Sequence, residues 1–491
     1  MKHEKLADAL NEISDHHIQE AAHQRKRRPA VWPAAVAAVL ALAIVALPLL
    51  HRPSSAQPPH LNSPTTDSTP FDSQSVRYRF LAAAPEYPTL SAYPKEDGTG
   101  DYQKWWDDQR AIHNQPDGYA DNLEEHFAAI LPALLQTDGQ SNAVCSPLNI
   151  YIALAMLAEI TDGESRQQIL DLLKADSMEA LRTQAGQVWK AHYNDDGLSK
   201  SILGSSLWLE EGLPYNEDTV RCLAENYYAS VFRGDLGSED MNEELRTWIN
   251  AQTEGLLQEH TADLRLSPMS VLALATTICY QVQWLEDFNP KNNTQSVFHT
   301  ASGDQTLTFM NRQLSYGPYY WGDTFGAVYL PLEDGSRMWL ILPDAGYTPA
   351  DILTDAAAFL AQHPAAYDSD YENQSSVRVN LSLPKFDVSK QMELSDTLKS
   401  LGVTDIFDGS EADFTPIIPQ NDGGWIDRVT HAARVMIDEE GVTAAAFTVI
   451  DRCGSAPPPT EEVDFVLDRP FLFYVESPDN LPLFTGIVNQ P

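Results

Sequence analysis

Apolar and polar positions along the chain follow helical spacing in some stretches and strand spacing in others. Residues 123–135 and 150–157 repeat apolar side chains with the period of a helix. Residues 205–209, 337–342 and 377–383 are short apolar or alternating runs typical of strands. Helices and strands do not alternate regularly, and no repeat of about 20–50 residues is present. The pattern predicts one large unit of mixed α+β structure.

One apolar run near the start differs from all the others in length. Residues 30–50 are 21 positions without a charge, and a helix needs about 20 apolar residues to cross a bilayer. Residues 25–28 are all basic, whereas only Arg52 is basic just beyond the run. The positive-inside rule therefore predicts a single-pass cell-membrane protein with an extracellular C-terminal domain. The alternative is a secreted protein, cleaved from a signal peptide near residues 54–56.

Composition divides the chain into five parts. Residues 52–77 are rich in proline, serine and threonine, have few side chains to bury and are typical of a linker. Residues 78–119 are an aromatic segment that is expected to pack on the domain that follows. The predicted parts are a cytoplasmic tail (1–28), a transmembrane signal-anchor (29–51), a linker (52–77), an N-terminal extension (78–119) and a main domain (120–491).

Charge and cysteine spacing exclude several kinds of partner. The formal net charge is −38, and such a surface repels the phosphates of nucleic acids and heparin-like polyanions. The four cysteines are widely spread and include no CxxC pair, which argues against a disulfide framework and against a zinc site. We expect no metal and no cofactor.

No motif of a catalytic site is present. The chain lacks the GxSxG, HExxH, GxGxxG and GxxxxGK patterns, and no local signature selects a Ser-His-Asp triad. We therefore identify no catalytic residue and do not expect an enzyme.

A series of segments, in order along the chain, resembles the signatures of the serpin family. They are residues 142–150 with the apolar helix after them, 248–249, 284, 330–331, 342–343, 383–386, 468–473 and 483–486. The resemblance covers residues 120–491. It implies the serpin fold, with three β-sheets, about eight or nine helices around them, and an exposed reactive-centre loop at about 439–464.

The start of that loop is similar to the hinge of inhibitory serpins. The hinge residues are Glu439, Glu440, Gly441, Val442, Thr443, Ala444, Ala445 and Ala446. In such inhibitors the cleaved loop becomes a central strand, and side chains along a strand alternate between its faces. Val442, Ala444 and Ala446 would then enter the packed face, and all are small or apolar. The alternative is an exposed loop that is merely rich in alanine.

The resemblance implies a bacterial-type, membrane-anchored inhibitor of serine proteases. We expect a monomer that acts as a suicide substrate and ends in a 1:1 covalent complex with its target protease. The alternative function is a non-inhibitory protein of the same fold, used for binding or adhesion at the cell surface.

The family's usual spacing from the hinge glycine predicts cleavage between Ser455 and Ala456. Ser455 would be the bait residue and not a nucleophile, because the attacking serine belongs to the protease. A small bait side chain suits elastase-like or subtilisin-like enzymes. The alternative scissile bond, Arg452–Cys453, would instead direct trypsin-like enzymes.

Five further residues resemble those that control sheet opening in the family. Ser146 and His431 match two members of the polar "shutter" group. Asn149 stands where the family has a serine, and Thr276 stands where it has an asparagine. The amide and the hydroxyl have thus nearly exchanged positions, and such an exchange could preserve the buried hydrogen bonds. Trp284 matches the tryptophan of the "breach", where the loop enters the sheet.

Overall fold

The structure, a computed structural model, describes most of the chain after residue 75. The described residues are 76–94, 100–261, 264–268, 270–365, 370–420, 424–426, 429–442 and 459–491.

The described strands form two sheets, and the first has eight strands and carries the candidate site. Its order is β1 (Leu81–Ala83), β5 (Ala229–Gly234), β4 (Lys200–Glu210), β6 (Leu272–Gln283), β14 (Gly441–Val442), β13 (Thr430–Ile437) and β12 (Phe386–Glu393), with β3 (Asn194–Asp195) paired to β4. Burial alternates strictly along β13, because successive side chains of a strand point to opposite faces. One face of β13 therefore belongs to the core.

The second sheet has nine strands. Its order is β15 (Glu462–Val466), β11 (Gln374–Pro384), β8 (Gly303–Trp321), β9 (Phe325–Pro331), β10 (Arg337–Pro343), β16 (Phe471–Glu476), β17 (Pro482–Val488) and β2 (Ala143–Cys145), with β7 (Thr294–Thr300) paired to β8. Every residue of β16 and β17 is buried, as expected for strands covered on both faces.

The described strands form two hydrogen-bonded sheets where the resemblance predicted three. The 19-residue strand β8 explains the difference. Its first residues pair with β7, and later ones pair with β11 and β9. A long strand that changes partners along its length joins strand groups that would otherwise be separate.

Ten helices surround the described sheets, and eight of them have ten or more residues. They are α1 (Tyr102–His113), α2 (Leu123–Leu134), α3 (Pro147–Glu159), α4 (Gly163–Leu172), α5 (Met178–His192), α6 (Glu217–Asn226), α7 (Glu239–Gln252), α8 (Gln258–Thr261), α9 (Pro349–Leu360) and α10 (Ser395–Ser400).

Helix α3 lies against both sheets, in contact with β4, β6 and β17. Twelve of its thirteen residues are buried, which is typical of a helix that is apolar on all sides. Ser146 caps it by accepting a hydrogen bond from the backbone N–H of Asn149 at 3.2 Å, and Pro147 occupies its first turn, where no backbone donor is needed. The Ser-Pro pair therefore sets where this helix begins.

The described part of the N-terminal extension lies against the first sheet and its helices. Strand β1 adds an edge strand by pairing with β5. Farther along, the ring of Tyr87 stacks on Trp189 of α5 with centroids 5.4 Å apart. The indole N–H of Trp105, in α1, donates to the Asp196 carboxylate at 2.9 Å.

The predicted location in the cell membrane is wrong. No helix among the described residues is long and apolar enough to cross a bilayer. The longest of them, α5, has 15 residues, whereas a spanning helix needs about 20. Residues 30–50, on which the prediction rested, lie outside the described residues.

Candidate functional site

The candidate site is the seam between β6 and β13, where a two-residue strand enters the first sheet. Gly441 and Val442, which form β14, pair antiparallel with Gln283 and Val282 of β6. On its other side Val442 pairs antiparallel with Ile437 of β13. The start of the predicted hinge is therefore already a central strand. We call this part of the seam the hinge end (residues 282–284 and 437–442).

A tight turn at Asp438 joins β13 to β14. One carboxylate oxygen of Asp438 accepts hydrogen bonds from the backbone N–H groups of Glu440 at 2.9 Å and Gly441 at 3.3 Å. The backbone N–H of Asp438 donates to the Gly441 carbonyl at 3.2 Å. An acidic side chain that bonds the backbone two residues on is a typical turn former, so Asp438 directs the chain back into the sheet.

Trp284 holds this turn from the end of β6. Its buried indole donates to the Asp438 carbonyl at 2.9 Å, and its backbone N–H donates to the Glu440 carbonyl at 3.0 Å. The backbone N–H of Phe288 donates to the Glu439 carbonyl at 2.9 Å. The predicted breach tryptophan therefore contacts the hinge directly.

Glu439 is fixed by an ion pair on the neighbouring surface. Its carboxylate lies 2.5 Å from the Lys385 ammonium and accepts a hydrogen bond from the Asn293 amide. Burial raises the pKa of this carboxyl, but the bonds from Lys385 and Asn293 outweigh that effect and hold the pKa below its usual value. Glu439 is therefore charged at neutral pH.

Gly441 lies so close to β6 that a side chain would not fit. A Cβ atom at this position would lie 2.7 Å from Gln283 Cα and closer still to the Val282 carbonyl oxygen. Both atoms belong to backbone and cannot rotate away. Glycine is therefore required for the approach of β14 to β6.

At its other end the seam is closed by direct pairing. Thr430 and His431 of β13 pair in parallel with Ala275 and Thr276 of β6. We call this part the closed end (residues 275–276 and 430–431). No backbone pairing joins residues 277–281 of β6 to residues 432–436 of β13, all of which are described. The two strands thus diverge between the closed end and the hinge end.

A buried hydrogen bond ties the closed end to helix α3. The backbone N–H of Ser146 donates to His431 Nε2 at 3.0 Å, so the other ring nitrogen carries the hydrogen in the neutral ring. His431 is 1% exposed, and burial lowers its pKa to about 4. The ring is therefore a neutral acceptor at physiological pH.

The structure does not join the other two predicted shutter residues. Asn149 is buried in α3, and neither atom of its amide has a hydrogen-bond partner among the described residues. Thr276 lies beside His431 in the strand register. The Ser146–His431 contact is present, whereas an Asn149–Thr276 hydrogen bond is absent from the described part of the chain.

Several predicted site residues lie outside the described residues. These are the rest of the hinge, the bait and the alternative bait, namely Thr443, Ala444, Ala445, Ala446, Arg452, Cys453, Ser455 and Ala456. Their roles stay predictions.

Three contributors to the hinge end were not predicted from the sequence. Lys385 and Asn293 bind Glu439, and Asp438 forms the turn. Asp438 carried a usable signal, because an acidic residue followed closely by glycine favours a turn. Lys385 and Asn293 are far from the hinge in the chain, and no local pattern connects them to it.

Comparison with known proteins identifies the family. The sequence profile described as "Serpin (serine protease inhibitor)" matches residues 123–491. Serpin-ZX of Arabidopsis thaliana is 27% identical over 366 residues, which cover 72% of this chain and 92% of the relative. Leukocyte elastase inhibitor A of Mus musculus is 26% identical over 376 residues, with 74% and 96% covered.

Solved structures share the fold. The thermophilic serpin tengpin in its native state aligns with a TM-score of 0.66 at 23% identity, covering 82% of this chain and 98% of tengpin. Thyroxine-binding globulin in complex with thyroxine aligns with a TM-score of 0.61 at 20% identity, covering 76% and 97%. These likenesses confirm the predicted mixed α+β serpin fold.

The comparisons give no support to the bacterial-type or membrane-anchored parts of the expectation, since the relatives named above come from a plant and a mouse. Members of the matched family are generally inhibitors that pair with target serine proteases, and not enzymes. With three quarters of its length matched by the family profile and a hinge strand seated between β6 and β13, the chain belongs to the serpin family.

Proposed function

We propose that the chain inhibits serine proteases as a suicide substrate, by loop cleavage, strand insertion and covalent trapping. The position of β14 carries this proposal. Gly441 and Val442 already pair with strands on both sides, as the first residues of a longer strand would. To extend this strand after cleavage, the residues beyond Val442 would continue in the same direction between β6 and β13.

The side chains of the hinge suit such a continuation. Val442 is 1% exposed and faces the core. Because strand side chains alternate between faces, Ala444 and Ala446 would follow Val442 into the core. Both are small and uncharged, so their burial requires neither a large cavity nor an unpaired charge.

The backbone of the seam also favours insertion. Residues 277–281 of β6 and 432–436 of β13 lack mutual pairing. An inserted strand would give these residues, and itself, a hydrogen-bonded ladder on both sides. The cleaved loop can therefore form backbone hydrogen bonds along the whole seam, which the intact loop cannot do.

Trapping depends on when the insertion occurs. The protease serine attacks the Ser455 carbonyl, the peptide bond to Ala456 breaks, and the amine of Ala456 leaves with a proton. Ser455 is then held to the protease as an ester. Insertion up to Ser455 carries that ester roughly 50 Å, which distorts the oxyanion hole and triad of the protease before water releases it.

The bait favours proteases with small specificity pockets. Ser455 has a small side chain, which suits elastase-like or subtilisin-like enzymes, and the name of the mouse relative states that it inhibits an elastase. Cleavage at Arg452–Cys453 would suit trypsin-like enzymes but would shorten the inserted strand by three residues, about 10 Å. A shorter displacement distorts the protease less, so we favour Ser455.

Incubation with elastase, subtilisin and trypsin in separate reactions tests the proposal. We expect an SDS-stable 1:1 complex with elastase or subtilisin, and a released C-terminal peptide that begins at Ala456. Elastase whose active serine has been blocked should give no complex. Clean cleavage at the same bond without any complex would contradict the proposal and favour the alternative, a non-inhibitory binding or adhesion protein.

A further inference from the structure

A cavity of about 560 Å³ lies between the N-terminal extension and the rest of the described domain. Helix α1 forms one wall, and the opposite walls come from the end of α5, from β4 and β6, and from the turns at residues 333–336 and 477–479. A volume of this size is typical of sites for small organic ligands. The family profile begins at residue 123, so helix α1 precedes the segment that the profile matches.

Helix α1 is anchored firmly enough to serve as a wall. Gln109 donates to the Asp196 carboxylate at 3.0 Å, beside the bond from the Trp105 indole. His113 is hydrogen-bonded to the Tyr193 carbonyl at 2.7 Å. Asp196 also accepts the backbone N–H groups of residues 198 and 199. The cavity is therefore a built feature and not a gap beside a loose segment.

Two side chains that line the cavity are buried and carry unpaired polar atoms. His192 is 6% exposed, and its Nδ1 bonds the Val188 carbonyl at 2.7 Å. Since a carbonyl only accepts, Nδ1 carries the hydrogen. Burial lowers the pKa of His192, so the ring is neutral and Nε2 is a bare acceptor. Neither Nε2 nor the Ser201 hydroxyl has a partner among the described residues.

The charges around the cavity are mostly negative. Glu333, Asp334 and Asp479 line it together with Asp196, against the single cation Arg110. One carboxylate oxygen of Glu333 is buried and lacks a partner in the described part of the chain. Asp196, Asp334 and Asp479 already accept hydrogen bonds from neighbouring groups. Glu333 is therefore the carboxylate best able to receive a ligand's donor group.

Aromatic faces complete the lining. Trp105 and Trp106 come from α1, with Trp106 46% exposed, and Tyr280 comes from β6. An indole face attracts a cation as well as an apolar ring. Unpaired acceptors, an excess of carboxylates and indole faces together select for a ligand that donates hydrogen bonds and carries a positive charge.

We propose that this extension cavity binds a small organic amine with an aromatic body, its ammonium facing Glu333 and its ring on the tryptophans of α1. Ligand binding at this cavity is independent of protease inhibition, because the extension and not the loop forms its wall. The extension thus has a role in ligand binding.

Titration calorimetry of the full chain with tryptamine tests the proposal, with the neutral analogue tryptophol and the anion indole-3-propionate as matched probes. Tryptamine should bind at least tenfold more tightly than tryptophol, because a charge-assisted hydrogen bond is stronger than a neutral one, and the anion should not bind. Equal binding of amine and alcohol, or no binding of tryptamine at millimolar concentration, would overturn the proposal.

Three variants locate the site. Glu333→Gln should weaken tryptamine binding about tenfold while leaving tryptophol unchanged, because it removes only the charge. Trp106→Ala should weaken tryptamine about fivefold through the lost contact between the indole of Trp106 and the ligand's ring. Trp425→Ala is the control, since Trp425 is 44% exposed and does not line the cavity. A loss with Trp425→Ala equal to that with Trp106→Ala would place the binding elsewhere.

Discussion

The two ends of the seam between β6 and β13 are held together in different ways. At the hinge end the strands are separated by β14, and the contacts are a turn, an indole hydrogen bond and an ion pair with a partly exposed lysine. At the closed end the strands pair directly, and a fully buried histidine bonds helix α3. At the hinge end β6 and β13 are therefore already separated by a strand between them, whereas at the closed end they are paired directly with each other.

The difference indicates the direction in which the sheet opens. Insertion can lengthen β14 from the hinge end without breaking strand pairs until it reaches Thr276 and His431. There the parallel pairing must be exchanged for antiparallel pairing with the new strand. We infer that the closed end resists the last part of insertion and that the hinge end guides its start.

The largest expected effect comes from a charge placed on the inward face of the hinge. Ala444→Arg should abolish complex formation, because burial of an unpaired charge costs several kcal/mol, and each ~1.4 kcal/mol slows insertion tenfold. Cleavage should continue at a normal rate. Ala445→Arg is the matched control, since its side chain would face outward. Gel analysis after elastase treatment measures both, and equal behaviour of the two variants would contradict the predicted alternation.

Removal of the breach tryptophan should have the next largest effect. Trp284→Ala is expected to lower the free energy of unfolding by about 3–5 kcal/mol, as for other large buried aromatic residues. Trp284→Phe keeps most of the ring and loses the bond to the Asp438 carbonyl, so we expect about 1–2 kcal/mol. Denaturant unfolding measures both. If the two substitutions cost the same, the indole hydrogen bond rather than the ring volume would dominate at the hinge end.

His431 should make the closed end sensitive to acid. Its pKa is about 4 in the folded chain and about 6.5 in an unfolded one, so below pH 6.5 only the unfolded state takes up the proton. Stability is therefore fully present above pH 6.5 and is lost as pH falls towards 4, by about 3 kcal/mol.

The matched comparison for this pH effect is the variant His431→Gln. Wild type should lose about 3 kcal/mol more than the variant between pH 7.5 and pH 4, measured by denaturant unfolding. Other buried histidines, such as His126, titrate in both proteins and cancel. An identical pH dependence of the two proteins would show that His431 does not titrate as its burial indicates.

The smallest expected effect is at Asn149. Its amide has no partner among the described residues, so Asn149→Leu removes an uncompensated polar group of similar size and should raise the unfolding free energy by up to about 1 kcal/mol. Asn242→Leu is the control, because the Asn242 amide accepts a hydrogen bond from the Leu266 backbone at 2.8 Å. That control should lose stability. A loss of similar size at Asn149 would show that its amide is hydrogen-bonded.

The resemblance carried by local motifs named several residues that the structure brings together along the seam, and their roles in inhibition stay predictions. The resemblance assigned Ser146 to the shutter and residues 439–446 to the hinge, and Gly441 and Val442 of that hinge form β14. The bond between Ser146 and His431 and the contact of Trp284 with the hinge agree with those assignments. Such motifs are recognisable because each occupies a short stretch with strict steric or capping requirements.

What the sequence could not predict depends on contacts between distant residues. The partners of Glu439 lie in connections between strands that are distant in the chain. The docking of α1 on Asp196 joins two stretches without a shared pattern. The described strands form two sheets instead of the predicted three, because the long strand β8 pairs with several others. The membrane location was wrong, since no described helix is long and apolar enough to cross a bilayer.

Hydrogen exchange of the intact and the elastase-cleaved chain tests the central claim most directly. If the loop becomes a strand between β6 and β13, the amides of residues 443–454 should become strongly protected after cleavage, and those of residues 277–281 should gain protection on the seam side. If cleavage leaves the amides of residues 443–454 exchanging as in the intact chain, no strand has formed, and the proposed inhibitory mechanism is contradicted.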